Sequence, residues 1–337
     1  MPSRRHVLAL LAAAPFAGCG AESDESERTT DAPLSGRTVG VAGDVSFPPV
    51  SGVSVTSRPA DADAFVLPAS DAHYESALDA LERGTPAIVA GDDAPLYARR
   101  VCERSGRRYG LPSDSWSPID RIAAVVPVED RLDVQYLRPR RDAALEARLP
   151  WAVGEILDGR PPEFSISDPP RPDGGVELGE VRTRGRVKAG DYDRWDRVTL
   201  LPDRSQAVVE TTATVTTVDA SFPDGYLVDD VSIQTAFEGV PVDATGPAGK
   251  TTDAYAVTEE TNEEENRVTH TFSAENADAR RSLTVGARTV VSLEDRPSSF
   301  GYVGNARFRW RRRTLLGDDP WVAHTPGRSV WRTLPSS

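Results

Sequence analysis

Apolar residues recur in two rhythms along this chain, and the rhythm changes near residue 170. From residue 37 to about 167, short apolar runs alternate with stretches of helical spacing. Thr38 to Asp44, Ala64 to Pro68 and Pro86 to Asp92 are brief and apolar, and each closes on turn residues, as buried strands do. After the second run, Ser70-Asp71 reads as a helix cap, with Tyr74, Ala77, Leu78 and Leu81 at helical spacing and Gly84 as the stop. After the third, a helix is predicted from about Pro95 to Arg104. Ile122 to Val128 and Leu132 to Leu137 flank Glu129-Asp130-Arg131 as a hairpin. Residues 141–158 form another helical pattern, with a break expected near Pro150. Strands alternating with helices predict a three-layer α/β domain over 37–167 with a mainly parallel core.

Residues 168–175 (DPPRPDGG) read as a linker, after which the period becomes two. Val209 to Thr217, Leu227 to Phe237, Val268 to Phe272, Leu283 to Leu293 and Ala306 to Trp310 alternate apolar with polar positions. Turn signals separate them at Pro202-Asp203, Pro223-Asp224-Gly225, Gly246-Pro247 and Asn276-Ala277-Asp278. The acidic stretch Glu259 to Glu265 reads as an exposed hairpin loop. Seven or eight strands without a helical pattern predict an antiparallel β-sandwich, immunoglobulin-like, over 176–337. The fold class is thus α+β multidomain.

The N-terminus follows neither rhythm. Arg4 and Arg5 precede an uncharged stretch of ten residues, Val7 to Phe16, too short for a bilayer core of about 30 Å. Residues 1–18 read as a signal peptide. The Ser-Arg-Arg start resembles a twin-arginine export signal, and Phe16-Ala17-Gly18-Cys19 resembles a lipobox, with Cys19 as the lipid-bearing residue. Residues 19–36 then form a lipidated cysteine and a tether. Ala21 to Ser35 holds almost no large apolar residue, cannot offset its ordering entropy, and is expected to be disordered. As a flexible coil it would span roughly 20–25 Å.

Charge adds a habitat. The formal net charge is −13, and loss of Arg4 and Arg5 with the signal takes it to −15. Lys188 and Lys250 are the only lysines. This acidic, lysine-poor balance resembles proteins of extremely halophilic archaea, whose lipoproteins commonly leave by the twin-arginine route. Acidity argues against nucleic acid as a partner. With Cys19 assigned to lipid, Cys102 stands alone, and its helical pattern reads as a buried structural thiol.

Candidate chemistry is sparse. Val41-Ala42-Gly43-Asp44 and Val89-Ala90-Gly91-Asp92 repeat one tetrapeptide at two predicted strand ends, the edge where open α/β sheets bind ligands. Asp44, Ser46, Ser70, Asp71, His73, Asp92 and Asp93 could converge there on a hard cation or a polar molecule; the plainer reading is turn and cap chemistry. No nucleophile elbow, phosphate loop or dinucleotide fingerprint occurs, and no cofactor is called for. His270, between Val268 and Phe272, reads as a core residue, and His324 lies near the C-terminus. Arg309, Arg311 and Arg313 share one strand face opposite Phe308 and Trp310. That is either a basic aromatic face for anionic lipid or glycan, or a core pair with arginines balancing nearby acids. The sequence therefore predicts a lipid-anchored binding or interaction module on the outer face of the membrane, with surface proteins or glycans as partners. A solute-binding transporter component and a metal-assisted hydrolase at Asp44 and Asp92 are the alternatives.

Overall fold

In the computed structural model, residues 34–43, 45–112, 121–139, 144–159, 174–201, 205–218, 225–237, 240–247, 253–293, 299–314, 317–325 and 328–332 are described. The first part comprises β1 (Thr38–Val41), β2 (Ser54–Thr56), β3 (Ala64–Pro68), α1 (Tyr74–Glu82), β4 (Ala87–Ala90), α2 (Ala94–Ser105), β5 (Arg108–Pro112), β6 (Ile122–Val128), β7 (Arg131–Arg138) and α3 (Leu145–Asp158). β2, β1, β3 and β4 pair in parallel; β6 joins β4 antiparallel and turns back into β7. The sheet is therefore mixed.

α1 and α2 cover one face, packing Tyr74, Ala77, Leu81, Tyr97 and Val101 against Phe65, Leu67 and Val89. α3 covers the other, packing Leu149, Val153 and Ile156 against Val66, Ile88 and Ile122. With both faces buried, these strands read as continuous apolar runs. α3 starts at Leu145 and runs through Pro150 without the break expected there. The proline removes one bond, to Glu146, while Leu149, Trp151, Ala152 and Val153 are buried and hold the helix on the sheet.

Beyond residue 175 follow β8 (Val176–Arg186), β9 (Gly190–Leu200), β10 (Gln206–Thr217), β11 (Leu227–Ala236), β12 (Val242–Pro247), β13 (Tyr255–Asn262), β14 (Arg267–Ala274), β15 (Ser282–Ser292), β16 (Ser299–Thr314), β17 (Gly317–His324) and β18 (Arg328–Arg332). These form a β-sandwich. One sheet runs β8-β9-β10-β15-β12 and the other β13-β14-β11-β16, with β17 and β18 sharing the far side of β16. Both sheets are continuous with the helix-covered one. β7 pairs with β5 at Arg131 and Leu132, then with β8 from Val134 on; β5 in turn pairs with β18.

The split falls at a bulge in β8, between Glu177 and Gly179. Gly179 has φ 147°, and a Cβ there would stand 3.0 Å from the Leu132 carbonyl oxygen. The Asp133 carboxylate fills the fork, accepting the Glu180 N–H at 2.8 Å. At the other branch the Trp331 ring lies on Gly110, where any added Cβ would overlap it. The chain from Ala32 to Ser337 groups as one unit. Most of the predicted linker lies outside the described residues.

Two sequence expectations need correction here. Eleven strands are described after residue 175, against the seven or eight predicted. Glu259 to Glu265 is also not simply a loop: β13 extends to Asn262, and the turn is Glu263 to Asn266. In β13, Thr258 to Thr261 are all exposed, so the alternation that marks a strand is missing.

Candidate functional site

β1, β3 and β4 are parallel, so their carboxyl ends share one edge. The chain leaves β1 through Gly43 at φ 65°, and the His73 ring stands against it, with Nε2 2.8 Å from where a Cβ would be. Asp44 lies outside the described residues, and with it the shared-ion arrangement of Asp44 and Asp92. Ser46 is exposed. Ser70 precedes a single tight turn, Asp71–His73, which leads into α1; its hydroxyl makes no capping bond. Asp93 precedes α2, also without a side-chain cap.

Asp71 accepts Arg100 Nη1 at 3.3 Å, and Asp92 pairs with Arg121 Nε at 2.8 Å. These carboxylates are 76% and 84% exposed, so each pair contributes about 0–1 kcal/mol. Among the described residues no group of three His, Cys, Asp or Glu side chains is placed to hold a metal ion. Behind this edge, Tyr74 and Tyr97 stack at 4.4 Å and the Arg104 guanidinium lies 4.4 Å over Tyr74. Burial, with Tyr74 beside it, pushes the Tyr97 hydroxyl well above its ordinary pKa. Cys102 is fully buried on α2, and burial pushes its thiol up as well.

The arginine-rich strand is β16. Phe308 and Trp310 are completely buried between the sheets, and the Trp310 indole donates to the Thr216 carbonyl at 3.1 Å. Arg309 and Arg311 point outward. A bulge in β11 at Asp229 brings two carboxylates beside them. Arg309 pairs with Asp229 at 2.6 Å and Asp230 at 2.7 Å; Arg311 pairs with Asp229 at 2.9 Å and Asp318 at 3.3 Å. The Arg313 side chain lies outside the described ones. Where described, this face is balanced charge. His324 ends β17, and its carbonyl accepts Arg138 at 2.8 Å.

Four buried polar groups stand out. Between the two apolar clusters of the sandwich, Arg194 pairs with Asp196 at 2.8 Å and donates to Thr325 Oγ1 at 3.1 Å, while Thr211 donates to Asp196 at 2.7 Å. On the opposite face of the same strands, Arg182 is bidentate to Asp193, lies 4.5 Å over Trp195, and donates to the Glu155 carbonyl of α3 at 3.2 Å. His270 of β14 reaches across the sandwich to Thr245 at 3.3 Å, and Thr245 meets Thr289 at 3.1 Å. Burial lowers His270 to about 4. At the fork, burial outweighs the neighbouring Arg131 and raises Asp133 to about 6.

The sequence reading missed Arg182, Arg194, Asp133 and Asp196. One signal was present: Arg182, Arg184 and Arg186 recur at every second position, and Asp191 and Asp193 do so after a short turn. Like charges in that rhythm mark two strands joined by ion pairs across the ladder, here Arg186 to Asp191 directly opposite and Arg182 to Asp193 on the diagonal. The buried ions hold strands and a helix together.

No family model and no curated protein matches the chain. Among solved structures it is similar to the collagen-binding domain of a Staphylococcus aureus adhesin, at 9% identity and TM-score 0.22, covering 37% of this chain and 92% of that one. The RrgA Jo.In complex matches at 13% identity and TM-score 0.28, over 44% of this chain and 81% of that one. ACE19, the collagen-binding subdomain of the Enterococcus faecalis surface protein ACE, matches at 12% identity and TM-score 0.20, over 35% and 84%.

Proposed function

We propose that this chain is a lipid-anchored, extracytoplasmic binding module, held to the membrane through Cys19 and presenting its fork of sheets to other surface proteins or glycans. The finer architecture in this reading is an N-terminal α/β domain of residues 37–167 and an immunoglobulin-like sandwich from 176 on. Haloarchaeal origin and twin-arginine export through Arg4 and Arg5 belong to the same proposal.

One observation supports it most. Leu34, about fifteen residues after Cys19, is 3% exposed and packs in the layer under α3. Between them lies a stretch that is nearly free of large apolar residues. An anchor, a spacer and then a body is the order a surface-tethered binder needs. A solute-binding role asks for a second α/β lobe. The described residues from Val176 on form strands, which leaves it the weaker reading.

The test is Cys19→Ser. Wild-type protein should fractionate with membranes and carry a lipid-modified, processed N-terminus by mass spectrometry. The variant should appear in the medium. A variant that stays membrane-bound with residues 1–18 intact would falsify the anchor.

A further inference from the structure

The sheets end in four edges among the described residues: β2, β12, β13 and β17. Unpaired edges invite other strands, and folded proteins usually blunt them. β2 has only three residues. β12 carries a register shift between Val242 and Ala244 and ends in Pro247. β17 contains Pro320. β13 has none of these devices: it is eight residues long, pairs with β14 without a register shift, and holds no proline.

Its free groups can be assigned. Glu275 N–H donates to the Ala254 carbonyl at 2.9 Å, in the register that places Tyr255 opposite Ala274. Hydrogen-bonded pairs alternate along an antiparallel ladder, so Ala256, Thr258, Glu260 and Asn262 bond to β14. The backbone groups of Val257, Glu259 and Thr261 then point outward along the open edge. Charge is the one guard left. Glu259 and Glu260 are exposed on opposite faces of β13, and Glu263, Glu264 and Glu265 follow in the turn. Among the described residues Arg267 lies 2.6 Å from Glu265, and the buried His270 ring, opposite Glu259 on β14, has Nδ1 3.5 Å from the Glu259 carboxylate. Two copies of this edge, laid together, would oppose carboxylate with carboxylate. A strand carrying arginine or lysine on both faces would meet Glu259 and Glu260 with opposite charge.

We propose that β13 is a strand-addition site for a basic, extended segment of a partner protein, which adds to the sheet beside Val257, Glu259 and Thr261. This rests on the reading of the chain as a binding module and names the partner's chemistry. Main-chain bonds supply affinity, and the carboxylates select the partner. In concentrated salt the selection acts only at ion-pair distance.

The test uses the full chain with Cys19→Ser, in the salt that keeps it folded. The probes are two ten-residue peptides in which adjacent pairs of arginine, or of glutamate, are separated by valine and threonine, so that the charges fall on both faces of the strand. The arginine peptide should bind and slow amide exchange at Val257, Glu259 and Thr261, and the glutamate peptide should not bind. Thr261→Pro removes one outward donor and spares the ladder to β14; it should weaken binding by about tenfold, the equivalent of one charge-assisted or well-formed hydrogen bond. Glu259→Lys with Glu260→Lys should invert the preference between peptides, which keeps the test sharp if the proline variant folds poorly. Equal binding to Thr261→Pro and wild type, unchanged exchange at the three amides, or no binding of the arginine peptide overturns the proposal. Membrane release of Cys19→Ser is unaffected by any of these, so the edge can fail while the anchored-binder reading stands.

Discussion

The helix-covered sheet and the sandwich differ in what they bury beside their apolar clusters. In the first, Ala64, Phe65, Val66, Leu67, Ala87, Ile88 and Val89 are at most 1% exposed, and helices close both faces. In the second, strands of the same depth carry Arg182, Arg194, Asp196, Arg288 and His270 at 5% exposure or less. Apolar burial is tolerant and additive, whereas a buried charge is stable only as one half of a pair. The sandwich therefore adds obligate ion partners to its apolar packing. The helix-covered sheet is held by packing.

The sharpest break in this comparison comes from separating one pair. Asp196→Ala removes the carboxylate 2.8 Å from Arg194, which also faces Thr325 and the Gly304 carbonyl. The expected loss in chemical denaturation is about 3–5 kcal/mol. Replacing both partners by apolar residues, Arg194→Met with Asp196→Leu, should recover most of it. A single variant that costs under about 1 kcal/mol would mean the charge is not held by its partner, and the contrast between the regions would collapse.

A second test sets the regions against each other by pH. Asp133 sits in the fork and His270 in the sandwich, and burial shifts them in opposite directions, to about 6 and about 4. The folded state binds Asp133's proton more tightly than the unfolded chain does. Its contribution is present below pH 3.8 and is lost as pH rises through about 6, a change of about 3 kcal/mol. His270 does the reverse: its contribution is present above pH 6.5 and is lost as pH falls through about 4, also by about 3 kcal/mol. Between pH 4 and 6 the two cancel in the wild type. Asp133→Asn should expose a stability that falls with acidification, and His270→Gln one that rises relative to wild type. Denaturation midpoints at half-unit steps give both slopes. Parallel slopes in wild type and variants would show that neither group titrates as its burial requires.

The same contrast explains what could be read from sequence. In the helix-covered region, apolar runs and helical spacing located β1, β3, β4, β6, β7 and both α1 and α2, because burial on two faces writes a continuous signal. In the sandwich, β10, β11, β14, β15 and part of β16 were legible where one face is apolar. β8 and β9 were not, because Arg182, Arg184, Asp193 and Arg197 occupy the positions that face ion pairs. β13 was hidden by exposure on both faces. Asp133 could not be singled out, since its depth comes from β5 and β8 parting around it, a contact of 47 residues' separation along the chain. The strand-end edge was found from the repeated tetrapeptide, but its side-chain pairings with Arg100 and Arg121 depend on where α2 and the start of β6 lie.

Those surface pairings give the smallest expected effect and mark the limit of the comparison. Asp71 and Asp92 pair with arginines as Asp196 does but stand in water, where solvent already satisfies an unpaired arginine. Asp71→Asn and Asp92→Asn should each change stability by less than about 1 kcal/mol, and less still in high salt. If either costs as much as Asp196→Ala, burial is not what makes the sandwich pairs obligate, and charge density alone would have to account for them. If both are neutral for folding, these carboxylates are free to be read by a partner. A change in surface binding in the same variants, without a change in melting, would then assign the edge to recognition, not to the fold.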